Sequence, residues 1–216
     1  KNQNIKSVSS HQIRFPIPTN IEFQFIPILF IRHPVDRAFS IYFFKKKEID
    51  NSIGSIKARS LSLSEFIKWN LDFKGRMSMK NFQTLFLSNK NTNEKVDEKD
   101  LKLAINRIKN CVILGIVDRM DESLLVAEEN LRPYFENIDF SYVKQNVSKE
   151  RKKILQDRLF DEQTIIGPDL TNALYEENKL DMILYLEANK ELDRRIIQIE
   201  NFQHKLKIFS MRAKTL

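Results

Sequence analysis

Apolar residues along the chain gather into two short continuous runs and several stripes at helical spacing. Residues 26–32, IPILFIR, are apolar without a break until Arg32. A run of this length without alternation suits a strand covered on both faces, as in a parallel sheet beneath helices. Pro34 then stands where the first turn of a helix tolerates proline. Val35, Ala38, Phe39, Tyr42 and Phe43 repeat at helical spacing, so residues 27–46 predict strand, tight turn and helix. The second run, CVILGIV at 111–117, predicts another buried strand, preceded by a helix marked by Leu101, Ile105 and Ile108. Asp121 suits the cap of the helix that follows, whose Leu124, Ala127, Leu131 and Phe135 share one face.

The segments between these runs are more polar. Residues 1–20, with Pro16 and Pro18, predict an irregular lead-in, and the Ser- and Lys-rich stretch 50–62 predicts a loop. Ser64 suits the cap of a short helix, SEFIKWNL, and 79–88, MKNFQTLFLS, predicts another helix before a polar loop at 89–97. Residues 139–153 predict a short strand running into a basic loop, NVSKERKK. From Pro168 onward the pattern is helical, with a stripe of Leu180, Leu184, Ala188, Leu192, Ile196 and Ile199. No internal repeat or linker interrupts the chain. Strands alternating with helices predict one α/β domain over residues 1–216, built on a parallel sheet and ending in a helical tail at 190–216.

Composition narrows the partners. The 216 residues suit a single core, and a 42% apolar share excludes a disordered chain. The formal charge of +7 favours anionic partners such as nucleotides, sulfated or uronic-acid sugars, or nucleic acid. The last would need exposed aromatics among the basic residues, whereas the phenylalanines here fall at core spacing. No stretch approaches the ~18 apolar residues of a membrane span. The single cysteine, Cys111, lies in an apolar run that reads as core, and the three histidines are scattered, so no metal site is apparent.

The chemistry concentrates in FIRHPVDRAFSIYFF, residues 30–44. Arg32 stands where a buried strand ends, and Ser40 follows about two turns into the next helix. A helix N-terminus offers free backbone N–H groups and a favourable dipole to an anion. Arginine adds a planar, permanently charged fork, and serine adds a hydroxyl. The alternative reading of the same residues is an arginine that only caps the strand or pairs with an acid.

The motif resembles the 3′-phosphate-binding segment of sulfotransferases that use 3′-phosphoadenosine 5′-phosphosulfate (PAPS), closest to the heparan sulfate 2-O-sulfotransferases and bacterial relatives. Arg37 and Tyr42 match as well, whereas His33 stands where Asp is usual. MKNFQT at 79–84, LGIVDRMDESL at 114–124, QNVSK at 145–149 and ENKLDMILYLEA at 177–188 resemble later segments of that family in the same order. The resemblance implies a P-loop-like three-layer fold, with a central parallel sheet flanked by helices. It implies transfer of a sulfuryl group from PAPS, without a metal, to a hydroxyl of an anionic or neutral glycan. It assigns Arg32 and Ser40 to the 3′-phosphate and Lys149 to a loop that closes over the nucleotide. His11, in SSHQIRF, is its candidate catalytic base, and Lys80, Asn81 and Gln83 are candidates for substrate binding. The compartment it implies is the cytoplasm for a bacterial protein and the Golgi lumen for a eukaryotic one.

One part of the family pattern is absent from these residues. Such enzymes open with a strand, a Lys- and Gly-containing loop and a helix that hold the 5′-phosphosulfate, but the first glycine here is Gly54. The expectation is a chain truncated by one strand-loop-helix unit, leaving an apolar sheet edge beside IPILFIR. A degenerate relative is the alternative.

Overall fold

The computed structural model describes residues 15–17, 25–72, 78–111, 113–143, 152 and 154–215. His11, Lys149 and most of the basic loop at 146–153 lie outside the described residues. The chain is a mixed α/β protein, mostly helical, with two parallel strands among the described residues. Strand β1 (Ile28–Ile31) pairs with β2 (Ile113–Ile116) so that Ile28 faces Ile113 and Ile31 faces Ile116. Between the strands run α1 (Pro34–Lys47), α2 (Ile53–Ser60), α3 (Leu63–Asp72), α4 (Phe82–Ser88) and α5 (Glu98–Asn110). After β2 come a 3-10 turn (Val117–Arg119), α6 (Met120–Leu131), α7 (Leu155–Ile166), α8 (Pro168–Glu177), α9 (Lys179–Ile197) and α10 (Phe202–Thr215).

Local sequence explains most of these boundaries. Pro34 opens α1, where its missing N–H costs nothing, and Lys45, Lys46 and Lys47 close it against the negative end of the helix dipole. Asp97 and Asp100 form a reciprocal capping box at the start of α5. Gly167, with φ of 79°, separates α7 from α8 in a conformation that side chains disfavour, and Pro168 starts the new helix.

Two apolar cores flank the β1–α1 connection. The first joins Ile31, Leu114 and Ile116 of the strands to Leu101 and Ile108 of α5, Leu125 of α6, Leu184, Ala188 and Leu192 of α9, and Phe209 of α10. The stripe read along α9 is therefore its buried face. The second core joins Val35, Ala38, Phe39 and Tyr42 of α1 to Ala58, Phe66, Ile67 and Leu174. Helix α1 is thus held in the second core while the strand that feeds it is held in the first. Fully burying each large aliphatic or aromatic side chain contributes about 1.5–3 kcal/mol, so the strand–helix junction is anchored from both ends.

The structure departs from the sequence reading in six places. Strand β1 is not covered on both faces, because Ile28 is 49% and Phe30 39% exposed while β2 is buried throughout. The Phe30 ring lies along Gly115 of β2, where a methyl group would collide with it. Residues 53–60 form helix α2, whose N-cap Ser52 accepts a hydrogen bond from the Ser55 backbone. The cap of α3 is Ser62 and not Ser64: Ser62 and Glu65 exchange side-chain and backbone hydrogen bonds. Asp121 lies inside α6 and accepts from the Tyr142 hydroxyl at 2.7 Å, because the chain already turns through the 3-10 segment before it. Residues 139–143 are not a strand; the Phe140 N–H donates to the buried Glu128 carboxylate. Phe135 lies beyond the end of α6 and is 39% exposed, so it leaves the face that Ala127 and Leu131 bury.

Candidate functional site at the carboxyl edge of the strands

Parallel strands with helices between them open a crevice beyond their carboxyl ends, the usual ligand position in such sheets. Here that edge carries Arg32 and His33 after β1, and Val117, Asp118 and Arg119 after β2. Helix α1 points its N-terminus at the same edge.

Arg32 is fixed from three directions. Its backbone N–H donates to Gln83 Oε1 at 2.8 Å, and Gln83 Nε2 donates back to the Arg32 carbonyl at 2.8 Å. The Gln83 amide thereby continues the ladder of β1 past its last paired residue. The Arg32 Nε donates to Asp36 Oδ2 at 2.5 Å, one helical turn on. Among the described residues only Nε of this guanidinium is engaged, which leaves its terminal nitrogens for a ligand. Ser40 stands one further turn along the face of α1 that carries Asp36, half-buried, and its hydroxyl has no partner among the described residues.

Asp36 itself is fully buried, and its second oxygen accepts from Arg158 Nε of α7 at 2.9 Å. Two guanidiniums from remote parts of the chain therefore converge on one carboxylate. Arg158 was not legible as a site residue, because its partner lies 122 residues away in sequence. Arg37, the other arginine of the motif, turns away from this edge. It donates to the Ser78 carbonyl at 2.6 Å and stacks on Phe82 with 4.2 Å from guanidinium carbon to ring centre. Burial pushes its pKa down to about 10, which leaves it charged at neutral pH.

Asn81 and Gln83 belong to a network that locks α4 to α9. The Asp181 carboxylate accepts from the backbone N–H groups of Gln83 and Thr84 and from the Thr84 hydroxyl, all at 2.8–2.9 Å. In return, Asn81 Oδ1 accepts from the backbone N–H groups of Leu180 and Asp181 at 2.9 and 3.0 Å. Each helix thus supplies the cap of the other. Asn81 reaches this position with φ of 45°, which asparagine tolerates better than other side chains. Burial raises the Asp181 pKa, against its hydrogen bonds and the nearby Arg37, which pull it down. Lys80 stands beside this network and pairs with Glu177 at 3.6 Å.

His33 occupies the N-cap position of α1 but caps nothing, and it is 5% exposed. Its ring meets Tyr185 and Tyr175 edge-on, with centroids 5.2 and 6.2 Å away. Burial lowers its pKa, with Asp36 and Asp118 opposing and Arg158 adding to the shift, which favours the neutral imidazole. Tyr185 donates to Asp118 Oδ2 at 2.6 Å, and the same burial and the carboxylate raise the tyrosine pKa. No group of three potential metal ligands occurs among the described residues. No described helix is long and apolar enough to cross a membrane.

The chain is similar to an uncharacterized protein of Archaeoglobus fulgidus, with 29% identity over 182 residues, which cover 82% of this chain and 72% of that protein. No protein-family profile matches the chain, and no solved structure matches it.

Proposed function

We propose that the chain binds a nucleotide 3′-phosphate at the carboxyl edge of its strands and serves PAPS-dependent sulfuryl transfer to a carbohydrate hydroxyl. The observation that carries the reading is the state of Arg32. Its backbone is clamped by the Gln83 amide and its guanidinium is held by a buried carboxylate, at a helix N-terminus, with the terminal nitrogens unengaged among the described residues and the Ser40 hydroxyl on the same helix face. Asp36, Gln83 and, through α4, Asp181 hold the fork still, so little ordering cost remains when an anion arrives. The alternation of the two parallel strands with helices is compatible with a P-loop-like three-layer fold, and that finer assignment is part of the proposal.

In-line sulfuryl transfer resembles phosphoryl transfer in depending on positioning and charge stabilisation. The 3′-phosphate contacts at Arg32 and Ser40 would orient the nucleoside end. Lys149 would close over the nucleotide, and His11 would accept the proton of the attacking hydroxyl. Lys80 would face an anionic acceptor, with Asn81 and Gln83 supporting that side of the site.

The test is titration calorimetry with 3′,5′-bisphosphoadenosine. Arg32→Ala should weaken binding roughly tenfold to a hundredfold, the worth of a charge-assisted contact of about 1.5–3 kcal/mol. Affinity unchanged in that variant would rule out Arg32 as the anion ligand.

A further inference from the structure

Two buried polar atoms at the strand edge have no hydrogen-bond partner among the described residues: His33 Nδ1 and Asp118 Oδ1. Leaving such an atom unpaired carries its full desolvation cost, so native proteins rarely keep one without a reason. These two belong to one place. Ile31 and Ile116 are paired across the strands, and His33 and Asp118 each stand two residues beyond them. Adjacent strands run ~4.8 Å apart, so the two residues leave the sheet side by side. Tyr185 ties them together, its ring against His33 and its hydroxyl on Asp118 Oδ2, which directs the other carboxylate oxygen elsewhere.

The chemistry of the pair selects its occupant. Asp118 Oδ1 can only accept, and it repels an anion. A metal cation would need further ligands, and no group of three potential metal ligands occurs among the described residues. The neutral imidazole can accept or donate at Nδ1 according to its tautomer. A ligand hydroxyl fits both: its single proton goes to the carboxylate while its oxygen accepts from the Nδ1–H tautomer of the imidazole. Arg32 and His33 share Asp36 as a neighbour, Arg32 through its hydrogen bond and His33 through the field of that carboxylate. A hydroxyl at His33 and Asp118 would share those surroundings with an anion at Arg32.

We propose that His33 and Asp118 form a hydroxyl subsite beside the anion site, and that it takes a hydroxyl vicinal to the phosphate, as the ribose 2′-hydroxyl is to a 3′-phosphate. This rests on the nucleotide reading above. Both atoms are shielded from solvent in the unliganded chain, so the subsite opens as the ligand enters. Tyr185 is a positioning residue, acting through Asp118.

The experiment compares 3′,5′-bisphosphoadenosine with its 2′-deoxy analogue by titration calorimetry. The wild-type chain should bind the ribonucleotide about tenfold or more tightly, the worth of a hydrogen bond to a charged group. In Asp118→Ala and His33→Phe, each checked for folding by circular dichroism, the preference should shrink to about threefold or less. Equal affinities in the wild-type chain, a comparison that needs no variant, overturn the subsite and leave the 3′-phosphate site standing. A full preference surviving in both variants also overturns it. Failure of both nucleotides to bind overturns the subsite and the nucleotide reading together.

Discussion

At the residue scale, His33 shows how a buried ring ties the start of a helix to its neighbours. The position after the strand-ending arginine carries an imidazole that is buried and meets two tyrosine rings edge-on. Its folded pKa is lowered, so the unfolded chain takes up the proton first as pH falls. The sign follows: the stabilisation is fully present above the unfolded pKa of about 6.5 and is lost as pH falls below it, until the lowered folded pKa is reached. The loss is at most about 1.4 kcal/mol per pH unit within that window. Urea unfolding between pH 7.5 and pH 5, as conditions to be set, should give a steeper decline for the wild-type chain than for His33→Gln, which cannot titrate. Parallel curves would mean that His33 is equally easy to protonate in both states.

Residue patterns also mark how far sequence could be read. The strand that ends at Arg32 and the helix that carries Ser40 were legible because an apolar run followed by proline specifies strand and helix with local chemistry alone. The engagement of Asp36 by Arg158 was not, because no local periodicity links α1 to α7. The orphaned pair of His33 and Asp118 was equally hidden, since only the strand register brings these two residues together.

At the scale of elements, helix α2 was missed for a physical reason. Its buried residues are Ser55 and Ala58, while Ile53 and Ile56 are each 46% exposed. A helix that buries small residues and displays its large ones has no apolar stripe to read. Helix α9 is the opposite case, since Leu184, Ala188 and Leu192 repeat every turn and are all buried. The capping of α4 and α9 by each other is an interaction between elements that places the Gln83 clamp on Arg32. Asp181→Ala would leave two backbone N–H groups and the Thr84 hydroxyl unpaired in the interior and remove the charge facing Arg37. Each unsatisfied buried donor costs about 1–3 kcal/mol, and partial relaxation should hold the total destabilisation to about 3 kcal/mol. Asp181→Asn, which keeps an acceptor, should cost less. Chemical denaturation reads both, and a loss below about 0.5 kcal/mol for Asp181→Ala would show that α4 is capped by other groups.

At the scale of the whole molecule, two cores meet at one junction. The strands, α5, α6, α9 and α10 form the first, α1 with α2, α3 and α8 the second, and the β1–α1 turn joins them. The candidate site stands at that turn, where rigid packing on both sides can hold polar groups in fixed positions. Strand β1 shows an apolar face at Ile28 and Phe30, and the net charge of +7 suits an anionic ligand. The central claim is that the junction recognises a 3′-phosphate and does not merely attract any nucleotide to a basic surface. Calorimetric titration of the wild-type chain with 3′,5′-bisphosphoadenosine and with 5′-AMP, in one buffer at one salt concentration, tests it most directly. The bisphosphate should bind roughly tenfold to a hundredfold more tightly, the worth of about 1.5–3 kcal/mol from the added phosphate. Equal affinity for the two nucleotides would contradict the account.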